Sequence, residues 1–315
     1  MFQEKKFVPV MITPFNLKRE LDFSAINGLI DFYLCAGAKA LFANCLSSEM
    51  YSITEEERIK LTKYIVKYVD GRVPVVATGS FGLTTKDKVE FTKRIYDTGI
   101  DAVVLVTSHY AKVNDEDNVL VQNFDRMFSL TGNIPLGLYE CPVPYKRVLS
   151  PDVFKSLVDT GRVIYYKDTS IERKKIMAKL DVINNNKKIE FYDAHTPNAL
   201  FSVGQGAKGM SSISGNFYPE VMVWLCENAI NPEKQKEAEW IQKQLTKADP
   251  LIHQAYPMSA KYFLQKRGLP IQQISRTHVL QLTPQEIYTL DTIFNSFSDW
   301  CEELNIPMIK DKLVR

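Results

Sequence analysis

The sequence predicts an α/β fold, a parallel (β/α)8 barrel of the TIM-barrel type with a C-terminal helical extension. Short apolar runs alternate with longer amphipathic segments through the first two thirds of the chain, which is the arrangement that a parallel barrel requires. Beyond about residue 217 the strand patterns stop and only helical patterns follow. One large barrel with an appendage also fits the length of 315 residues.

Eight short runs that are rich in β-branched residues are typical of strands. The third and fourth runs, 73–78 and 102–107, are apolar almost throughout, as expected of parallel strands that are buried on both faces. The predicted strands are residues 7–12, 38–43, 73–78, 102–107, 134–139, 163–167, 189–192 and 209–213. An open doubly wound sheet is the alternative architecture, and it ranks second because no GxGxxG motif follows an early strand.

Chemical start signals support the helices that separate and follow these strands. Thr54 and Glu57 have the spacing of a capping box, and Ser150 and Thr283 each precede a proline at the first helical position. The predicted helices include residues 24–36, 54–69, 85–98, 151–160, 232–246 and 284–304. We expect the barrel to span residues 1–225 and a helical region packed on it to span residues 226–315.

The composition argues against several classes of protein. The 39 basic and 37 acidic residues give a net charge of +2, which offers no electrostatic basis for binding nucleic acid. No apolar run is long enough to cross a membrane, and the N-terminus lacks the pattern of a signal peptide. Five scattered cysteines without a CxxC pair, and four histidines without HExxH spacing, predict a cytoplasmic protein with no metal or other cofactor.

The most informative side chain is Lys167, at the end of the sixth predicted strand. Catalytic groups of such barrels lie at the carboxyl ends of the strands. Alternation along the strand places Val163, Tyr165 and Lys167 on one face. If that face is the barrel interior, burial lowers the pKa of the amine and favours an uncharged nucleophile that condenses with a ketone. A lysine that simply reaches solvent at the mouth of the strand is the alternative.

Other polar side chains follow the neighbouring strands. Tyr139 ends the fifth strand and could exchange protons beside an imine, although a tyrosine that only lines the barrel would give the same pattern. Ser47 and Ser48 follow the second strand, where hydroxyl and amide groups could bind a substrate carboxylate or cap the next helix. His109 and His195 follow the fourth and seventh strands, where each could contact substrate or lie in a surface loop.

Acidic residues at the strand ends do not form an obvious catalytic pair. Glu140 has the opposite parity to Tyr139, so we expect it to point away from the interior and toward the helix layer. Glycoside hydrolysis would need two acids that face one cavity. Glu49, Glu140 and Asp168 are the candidates, and no two of them pair convincingly.

Five segments, in this order and at these spacings, resemble the dihydrodipicolinate synthase and N-acetylneuraminate lyase superfamily of class I Schiff-base lyases. The resemblance covers nearly the whole chain. The segments are Ile-Thr-Pro-Phe at 12–15, Cys-Leu-Ser-Ser-Glu-Met at 45–50, Leu-Tyr-Glu-Cys-Pro at 138–142, Tyr-Lys-Asp-Thr-Ser at 166–170 and Gly-Ala-Lys-Gly-Met-Ser-Ser at 206–212.

The resemblance implies a barrel with a C-terminal helical region that assembles as a homo-oligomer, a dimer or a tetramer. It implies that Lys167 forms an imine with a 2-oxo acid and that Tyr139 shuttles protons. It also implies that Ser47, with nearby amides, holds the substrate carboxylate, and that Ser211 contacts substrate from the strand 8 segment. Tyr110 matches a tyrosine that members of the superfamily lend across a dimer interface.

The chain departs from the superfamily pattern at several positions. Leu46 replaces a relay hydroxyl, Pro144 replaces an arginine of the synthases, and Thr196 and Pro197 replace an acidic pair of the sialate lyases. We therefore predict a Schiff-base lyase, aldolase or dehydratase that acts on pyruvate or on a related 2-oxo acid or sugar acid. The alternative, which Leu46 motivates, is a catalytically altered relative that binds a small molecule or acts as a scaffold. A metal-dependent barrel aldolase is less favoured than either.

Overall fold

The structure of the protein is a computed structural model that describes residues 4–183, 188–277 and 281–309. It contains strands β1 (Lys6–Phe7), β2 (Leu41–Phe42), β3 (Val75–Thr78), β4 (Ala102–Val106), β5 (Leu136–Tyr139), β6 (Val163–Asp168), β7 (Glu190–Asp193) and β8 (Gly209–Met210). The strands form one parallel sheet in the order β1-β8-β7-β6-β5-β4-β3-β2. Each predicted run overlaps one of these strands.

The sheet closes into a barrel between its two edge strands. Val10 forms a parallel bridge with Phe42 of β2. The Phe42 amide donates to the carbonyl of Pro9, and the Met11 amide donates to the carbonyl of Phe42, both at 3.0 Å. The predicted (β/α)8 barrel is therefore confirmed. The first strand is shorter than predicted, because Pro9 has no amide hydrogen to give to a continuous ladder.

Strand β8 lies directly against β1. The Lys6 amide donates to the carbonyl of Lys208 at 2.9 Å, and the Val8 amide donates to the carbonyl of Met210 at 2.9 Å. A Cβ atom on Gly209 would lie 1.6 Å from the carbonyl oxygen of Lys6. Since no side chain fits in that space, glycine at this position is what allows the last strand to pair with the first.

Helices follow the strands around the barrel. They are α1 (Phe23–Cys35), α2 (Glu55–Val69), α3 (Thr85–Tyr96), α4 (Asp117–Leu130), α5 (Pro151–Asp159), α6 (Arg173–Ile183), α7 (Ala199–Gly204), α8 (Pro219–Asn228), α9 (Gln235–Ile252), α10 (Met258–Lys266) and α11 (Pro284–Glu303). The predicted capping box of α2 is confirmed, since Thr54 and Glu57 each accept the other's amide hydrogen, at 3.2 and 2.9 Å. The helix predicted at 232–246 begins later and continues through Pro250 to Ile252.

The C-terminal helices pack on the barrel through aromatic rings and one buried salt bridge. The ring of Tyr218, just before α8, lies 5.5 Å from Trp300 and 6.2 Å from Phe297 of α11, measured between centroids. Arg267 pairs with Glu220 of α8, with Nη1 and Oε2 3.1 Å apart. These contacts fix the helical region against the eighth barrel unit.

The expected boundary between the barrel (residues 1–225) and the helical region (residues 226–315) falls inside α8, a helix that contacts β1 and β8. That boundary stays a prediction.

Within the described part of the chain, no helix combines the length and the apolar character that crossing a membrane would demand.

Candidate active site

A cavity of about 510 Å³ opens where the barrel strands end. Its lining includes Tyr139 at the end of β5, Lys167 in β6, Ser211 directly after β8 and Ser47 after β2. Catalytic groups of parallel barrels occupy this position because the carboxyl ends of all eight strands converge there. The structure thus brings together four of the six residues that the sequence singles out, and it does not bring Ser48 or Tyr110 to this cavity.

The amine of Lys167 lies inside the barrel among aromatic rings. Lys167 is only 4% exposed, and its Nζ lies 4.5 Å from the ring centroid of Tyr139 and 5.6 Å from that of Phe42. Burial lowers the pKa of the amine to about 8, against the opposing effect of the thiols of Cys45 and Cys141. At pH 7 roughly one amine in ten is then uncharged, far more than for an exposed lysine. A nucleophilic amine is therefore available in a cavity that a ketone can enter.

Tyr139 stands beside this amine on the neighbouring strand. The register of β5 and β6 pairs Tyr139 directly with Lys167. Burial raises the pKa of the phenol well above its usual value, and the neighbouring thiol of Cys141 adds to the rise. The phenol therefore carries its proton at neutral pH, and it can donate that proton to an atom of a molecule held at Lys167.

The turn after β2 presents Ser47 to the cavity but not Ser48. Both serines lie in a single 3₁₀ turn, and Ser47 lines the cavity. The Ser48 hydroxyl lies within donating distance of two carbonyl oxygens, those of Met11 at 2.6 Å and of Ala43, and it accepts from the Cys45 amide at 3.1 Å. The Ser48 hydroxyl therefore stabilises the turn that carries Ser47, and binding of substrate by Ser48 stays a prediction.

Tyr110 belongs to the helix layer within this chain. Its ring stacks on Phe124 of α4 with the centroids 4.4 Å apart, and the Nζ of Lys88 lies 5.2 Å from its ring centroid. Its hydroxyl is buried and finds no hydrogen-bond partner among the described residues. Tyr110 lies outside the cavity lining of its own chain, and its binding of substrate, including a contribution to a second copy of the chain, stays a prediction.

The two histidines at the strand ends have different surroundings. His109 lies outside the cavity lining, with Nε2 2.9 Å from the hydroxyl of Tyr51 and Nδ1 2.8 Å from the carbonyl of Ser80. Burial lowers the pKa of His109 to about 4, so its ring is neutral. His195 lines the cavity, and its buried Nδ1 has no hydrogen-bond partner among the described residues.

A buried group of charges lies between the barrel and α6. Lys179 of α6 donates from Nζ to Glu140 Oε1 and to Asp168 Oδ2, both at 2.6 Å, and the side chains of all three residues are 0% exposed. The predicted orientation of Glu140 toward the helix layer is confirmed. Asp193 of β7 adds a third carboxyl group, and burial raises its pKa to about 7. This group ties together the strand ends on either side of Lys167.

Sequence reasoning missed the residues that the C-terminal region adds to the cavity. His253, Tyr256 and Pro257, in the connection between α9 and α10, line the cavity. Asn216, in the turn after β8, donates from Nδ2 to the hydroxyl of Tyr256 at 2.9 Å. No local sequence pattern marks these residues, because they reach the site only through the packing of helices that lie outside the barrel.

A second contact joins the same region to the turn after β2. Lys261 of α10 donates to Glu49 Oε1 at 2.6 Å, and the side chains are 0% and 1% exposed. The other carboxylate oxygen accepts from the Ser275 hydroxyl at 2.8 Å and from the Arg276 amide at 2.6 Å. Both oxygens of Glu49 are therefore occupied by partners from the C-terminal region.

Lyases of the class I aldolase type use an amine to convert a ketone into an imine, which withdraws electrons from the adjacent carbon atom. That chemistry needs an amine that is partly uncharged at neutral pH and a proton donor beside it, and Lys167 and Tyr139 have these properties. Fold and site together define a class of barrel enzymes that work through a Schiff base.

The model of the dihydrodipicolinate synthetase family matches residues 3–296, and the chain belongs to this family. It is an enzyme, a class I Schiff-base lyase of the aldolase type.

The curated relatives include several proteins named 4-hydroxy-tetrahydrodipicolinate synthase. The one from Bacillus subtilis (strain 168) is 30% identical over 283 residues, which are 90% of this chain and 95% of that protein. The one from Oceanobacillus iheyensis is 26% identical over 292 residues, covering 93% of this chain and 97% of the relative.

Solved structures share the fold at lower identity. A dihydrodipicolinate synthase from Bacillus anthracis has a TM-score of 0.83 at 24% identity, covering 94% of this chain and 99% of that one. A prophage protein of the same family from E. coli K12, solved in complex with pyruvate, has a TM-score of 0.84 at 22% identity, covering 93% and 98%. None of these comparisons supports the alternative of a non-catalytic scaffold.

Proposed function

We propose that the protein acts on pyruvate or on a related 2-oxo acid or sugar acid, with Lys167 forming the imine and Tyr139 exchanging the proton. The observation that carries this proposal is the burial of an amine whose pKa is lowered to about 8, in a cavity that is open to small molecules. An exposed lysine would be almost fully protonated at neutral pH and would attack a ketone slowly.

The chemistry follows from the positions of the two side chains. The uncharged amine of Lys167 adds to the ketone carbon, and loss of water gives an imine whose nitrogen then takes up a proton. Loss of a proton from the adjacent carbon gives an enamine, which attacks the carbonyl carbon of an aldehyde. The aldehyde oxygen takes the proton of the Tyr139 phenol as the new carbon–carbon bond forms. The same steps in reverse cleave that bond, and water then releases the free acid.

The carboxylate of the 2-oxo acid is expected to bind near the turn after β2. Ser47 and Ser211 both line the cavity with Lys167, and each is almost fully buried. A hydroxyl that donates to a carboxylate in such a place forms a strong, charge-assisted hydrogen bond. We propose that Ser47 and Ser211 hold this group and that Ser48 acts only through the geometry of the turn.

Two further properties belong to the same proposal. We propose a homo-oligomer, a dimer or a tetramer, on the resemblance to the superfamily, and sedimentation of the purified protein tests it. We also propose a cytoplasmic location, which the five free cysteines support because they form no disulfide.

Reductive trapping tests the central step. The protein is incubated with pyruvate, treated with borohydride, and weighed intact by mass spectrometry. We expect one reduced pyruvate adduct per chain, located on Lys167 by peptide mapping and absent from Lys167→Met. Lys155→Met, which removes an exposed lysine of α5 that forms a salt bridge with Asp159, is the matched control and should keep the adduct. An adduct that survives Lys167→Met, or none in the unaltered protein, would refute the proposal.

A further inference from the structure

Backbone pairing between β5 and β6 ends at Tyr139, the residue to which the proposed function assigns the proton exchange. The next amide, that of Glu140, donates to the carbonyl of Lys167 at 3.3 Å, which is longer than most backbone hydrogen bonds. Pro142 and Pro144 follow, and neither has an amide hydrogen with which to extend the ladder. Backbone pairing alone therefore defines the position of Tyr139 only weakly.

The side chain of Glu140 connects this strand end to several other parts of the chain. Its Oε1 accepts from the Leu149 amide at 2.8 Å and from Nζ of Lys179 at 2.6 Å, and its Oε2 accepts from the Thr169 amide at 3.1 Å. The phenol of Tyr166 also donates to Oε1. The Thr169 hydroxyl donates to the carbonyl of Glu140 at 2.7 Å. Glu140 therefore joins the end of β5 to the end of β6, to the loop before α5 and to α6.

Asp168 is the corresponding acid on β6, directly after Lys167. Its Oδ2 accepts from Nζ of Lys179 at 2.6 Å, and its Oδ1 accepts from the amide of Ser170 at 2.8 Å and from the hydroxyl of Ser170 at 2.6 Å. Because side chains alternate along a strand, an acid that follows an interior residue points outward. A single ammonium group thus holds the two outward carboxylates that directly follow the interior residues Tyr139 and Lys167.

We refer to Lys179, Glu140 and Asp168 as the buried charge group. Their side chains are 0% exposed, and apolar side chains that replace a whole buried ion pair often give equal or greater stability. The surroundings would suit such a replacement, since the rings of Phe154 and Phe191 pack on the tyrosine that donates to this group. Ions differ from apolar contacts in that each hydrogen bond fixes a direction as well as a distance. Precise placement therefore explains the charges better than stability does.

We propose that Lys179 is a positioning residue for the reaction and acts through the two acids of the buried charge group. It holds the phenol of Tyr139 at a fixed place beside the amine of Lys167, so that the proton passes over a constant distance. The inference rests on the proposed function, because it takes proton exchange by Tyr139 at an imine of Lys167 as given. It adds a residue of the helix layer to those that determine the rate.

Hydrogen exchange at the methyl group of pyruvate tests the inference without an aldehyde. In deuterium oxide the imine loses a methyl proton to give the enamine, the enamine takes up a deuteron, and water releases deuterated pyruvate, which NMR detects. The rate is divided by the amount of borohydride-trapped adduct, so that only folded chains that form the imine are counted. We expect Lys179→Met to lower this rate per adduct by about tenfold to 10²-fold, because a displacement of about 1 Å is enough for such a loss. An unchanged rate would overturn the inference.

Arg267→Met is the matched control for the loss of a buried ion pair. Arg267, directly after α10, pairs with Glu220 of α8, with Nη1 and Oε2 3.1 Å apart, and their side chains are 1% and 4% exposed. This pair does not touch the ends of β5 and β6. We expect the rate per adduct of Arg267→Met to match that of the unaltered protein. Equal losses in Arg267→Met and Lys179→Met would overturn the inference, since a purely structural effect acts on both.

A double-mutant cycle shows whether Lys179 acts through Tyr139. In Tyr139→Phe, which lacks the phenol, Lys179→Met should cause little further loss of the rate per adduct, because the group that it positions is already gone. Its effect on the midpoint of unfolding in urea should be the same in both backgrounds. An equal loss of rate with and without the phenol would overturn the inference.

Tyr166→Phe covers the case in which Lys179→Met does not fold. It removes only the hydroxyl that donates to Glu140 and leaves the charges in place. We expect a loss of about threefold or more in the rate per adduct, which disappears in the Tyr139→Phe background. An unchanged rate in Tyr166→Phe would overturn the inference. In the unaltered protein, the absence of the adduct, or an adduct without exchange, would instead refute the proposed function.

Discussion

Replacing Lys179 with methionine is expected to destabilise the barrel strongly. The Nζ of Lys179 contacts Glu140 and Asp168 at 2.6 Å each, and the side chains of all three residues are 0% exposed. Removing one partner of a buried ion pair typically costs about 3–5 kcal/mol, because the remaining charge is left buried without compensation. Methionine has a similar length and leaves no large cavity, so we attribute the expected loss of about 3–5 kcal/mol at pH 7 to the charges.

The loss should become smaller as the pH falls. Burial and the neighbouring Asp168 already raise the pKa of Glu140, and Lys179 opposes them. Without Lys179, the folded-state pKa of Glu140 lies further above its unfolded value, because the opposing effect of the ammonium group is gone. A group of this kind stabilises the folded protein at low pH and loses that contribution as the pH rises through its folded pKa. The difference between variant and unaltered protein is therefore expected to be smaller at pH 5 than at pH 7.

Urea-induced unfolding, followed by tryptophan fluorescence at both pH values, measures these effects. Lys155→Met is the matched control, since the same change on the exposed face of α5 removes only a solvent-exposed pair with Asp159. We expect the control to change the free energy of unfolding by about 0.5 kcal/mol or less. A loss below about 1 kcal/mol for Lys179→Met, or a loss that is the same at both pH values, would refute the reasoning, because a cation that compensates two buried carboxylates cannot be removed so easily.

Three further predictions concern the cavity. The rate of imine formation with pyruvate should rise about tenfold per pH unit below the Lys167 pKa of about 8 and level off above it, and a rate that is constant from pH 6 to pH 8 would contradict this assignment. Tyr139→Phe should lower kcat by about 10²–10⁴-fold while the trapped adduct still forms, and unchanged turnover would remove Tyr139 from the mechanism. Ser48→Ala should cost about 1–3 kcal/mol of stability by leaving buried backbone groups unpaired, whereas Ser47→Ala should raise the KM for pyruvate with little change in the melting temperature. Thermal melts and steady-state kinetics would reveal the opposite pattern if the roles of the two serines were exchanged.

The strands can be predicted from the sequence because a parallel strand buried on both faces must be apolar at nearly every position. The same alternation predicts that Glu140 points away from the interior, and the structure agrees, since Glu140 contacts Lys179 of α6. Alternation along β5 and β6 also predicts that Tyr139 and Lys167 share the interior, and the register pairs them. A period of two residues is sufficient for these positions because they lie on regular strands.

The turn after β2 could not be predicted in the same way. A 3₁₀ turn has three residues per turn, so Ser47 and Ser48 point in different directions. Which of them faces the cavity depends on Met11, whose carbonyl accepts the Ser48 hydroxyl from a distant part of the chain. His253 and Tyr256 could not be predicted as cavity residues for the same reason, because their positions depend on how α9 and α10 pack against the barrel.

Lys179 did leave a signal in the sequence. Its spacing from Ile176, Leu180 and Ile183 places it on the apolar face of α6, and the structure buries all four side chains. A lysine at such a position requires a buried acidic partner, since an unpaired buried charge is too costly to keep. The helix pattern thus predicts that a carboxylate lies under α6, while only the fold identifies Glu140 and Asp168 as that partner.

The buried pair of Glu49 and Lys261 has a consequence for the order in which the enzyme matures during synthesis. A ribosome releases the segments that carry Tyr139 and Lys167 well before it releases α10, and domains fold as their parts become available. Until Lys261 emerges, Glu49 has no cation beside it, and the wall that Tyr256 provides is missing. The growing chain therefore carries its reactive amine and phenol in a pocket whose C-terminal wall is still missing, and the complete cavity requires the segment that contains Tyr256 and α10.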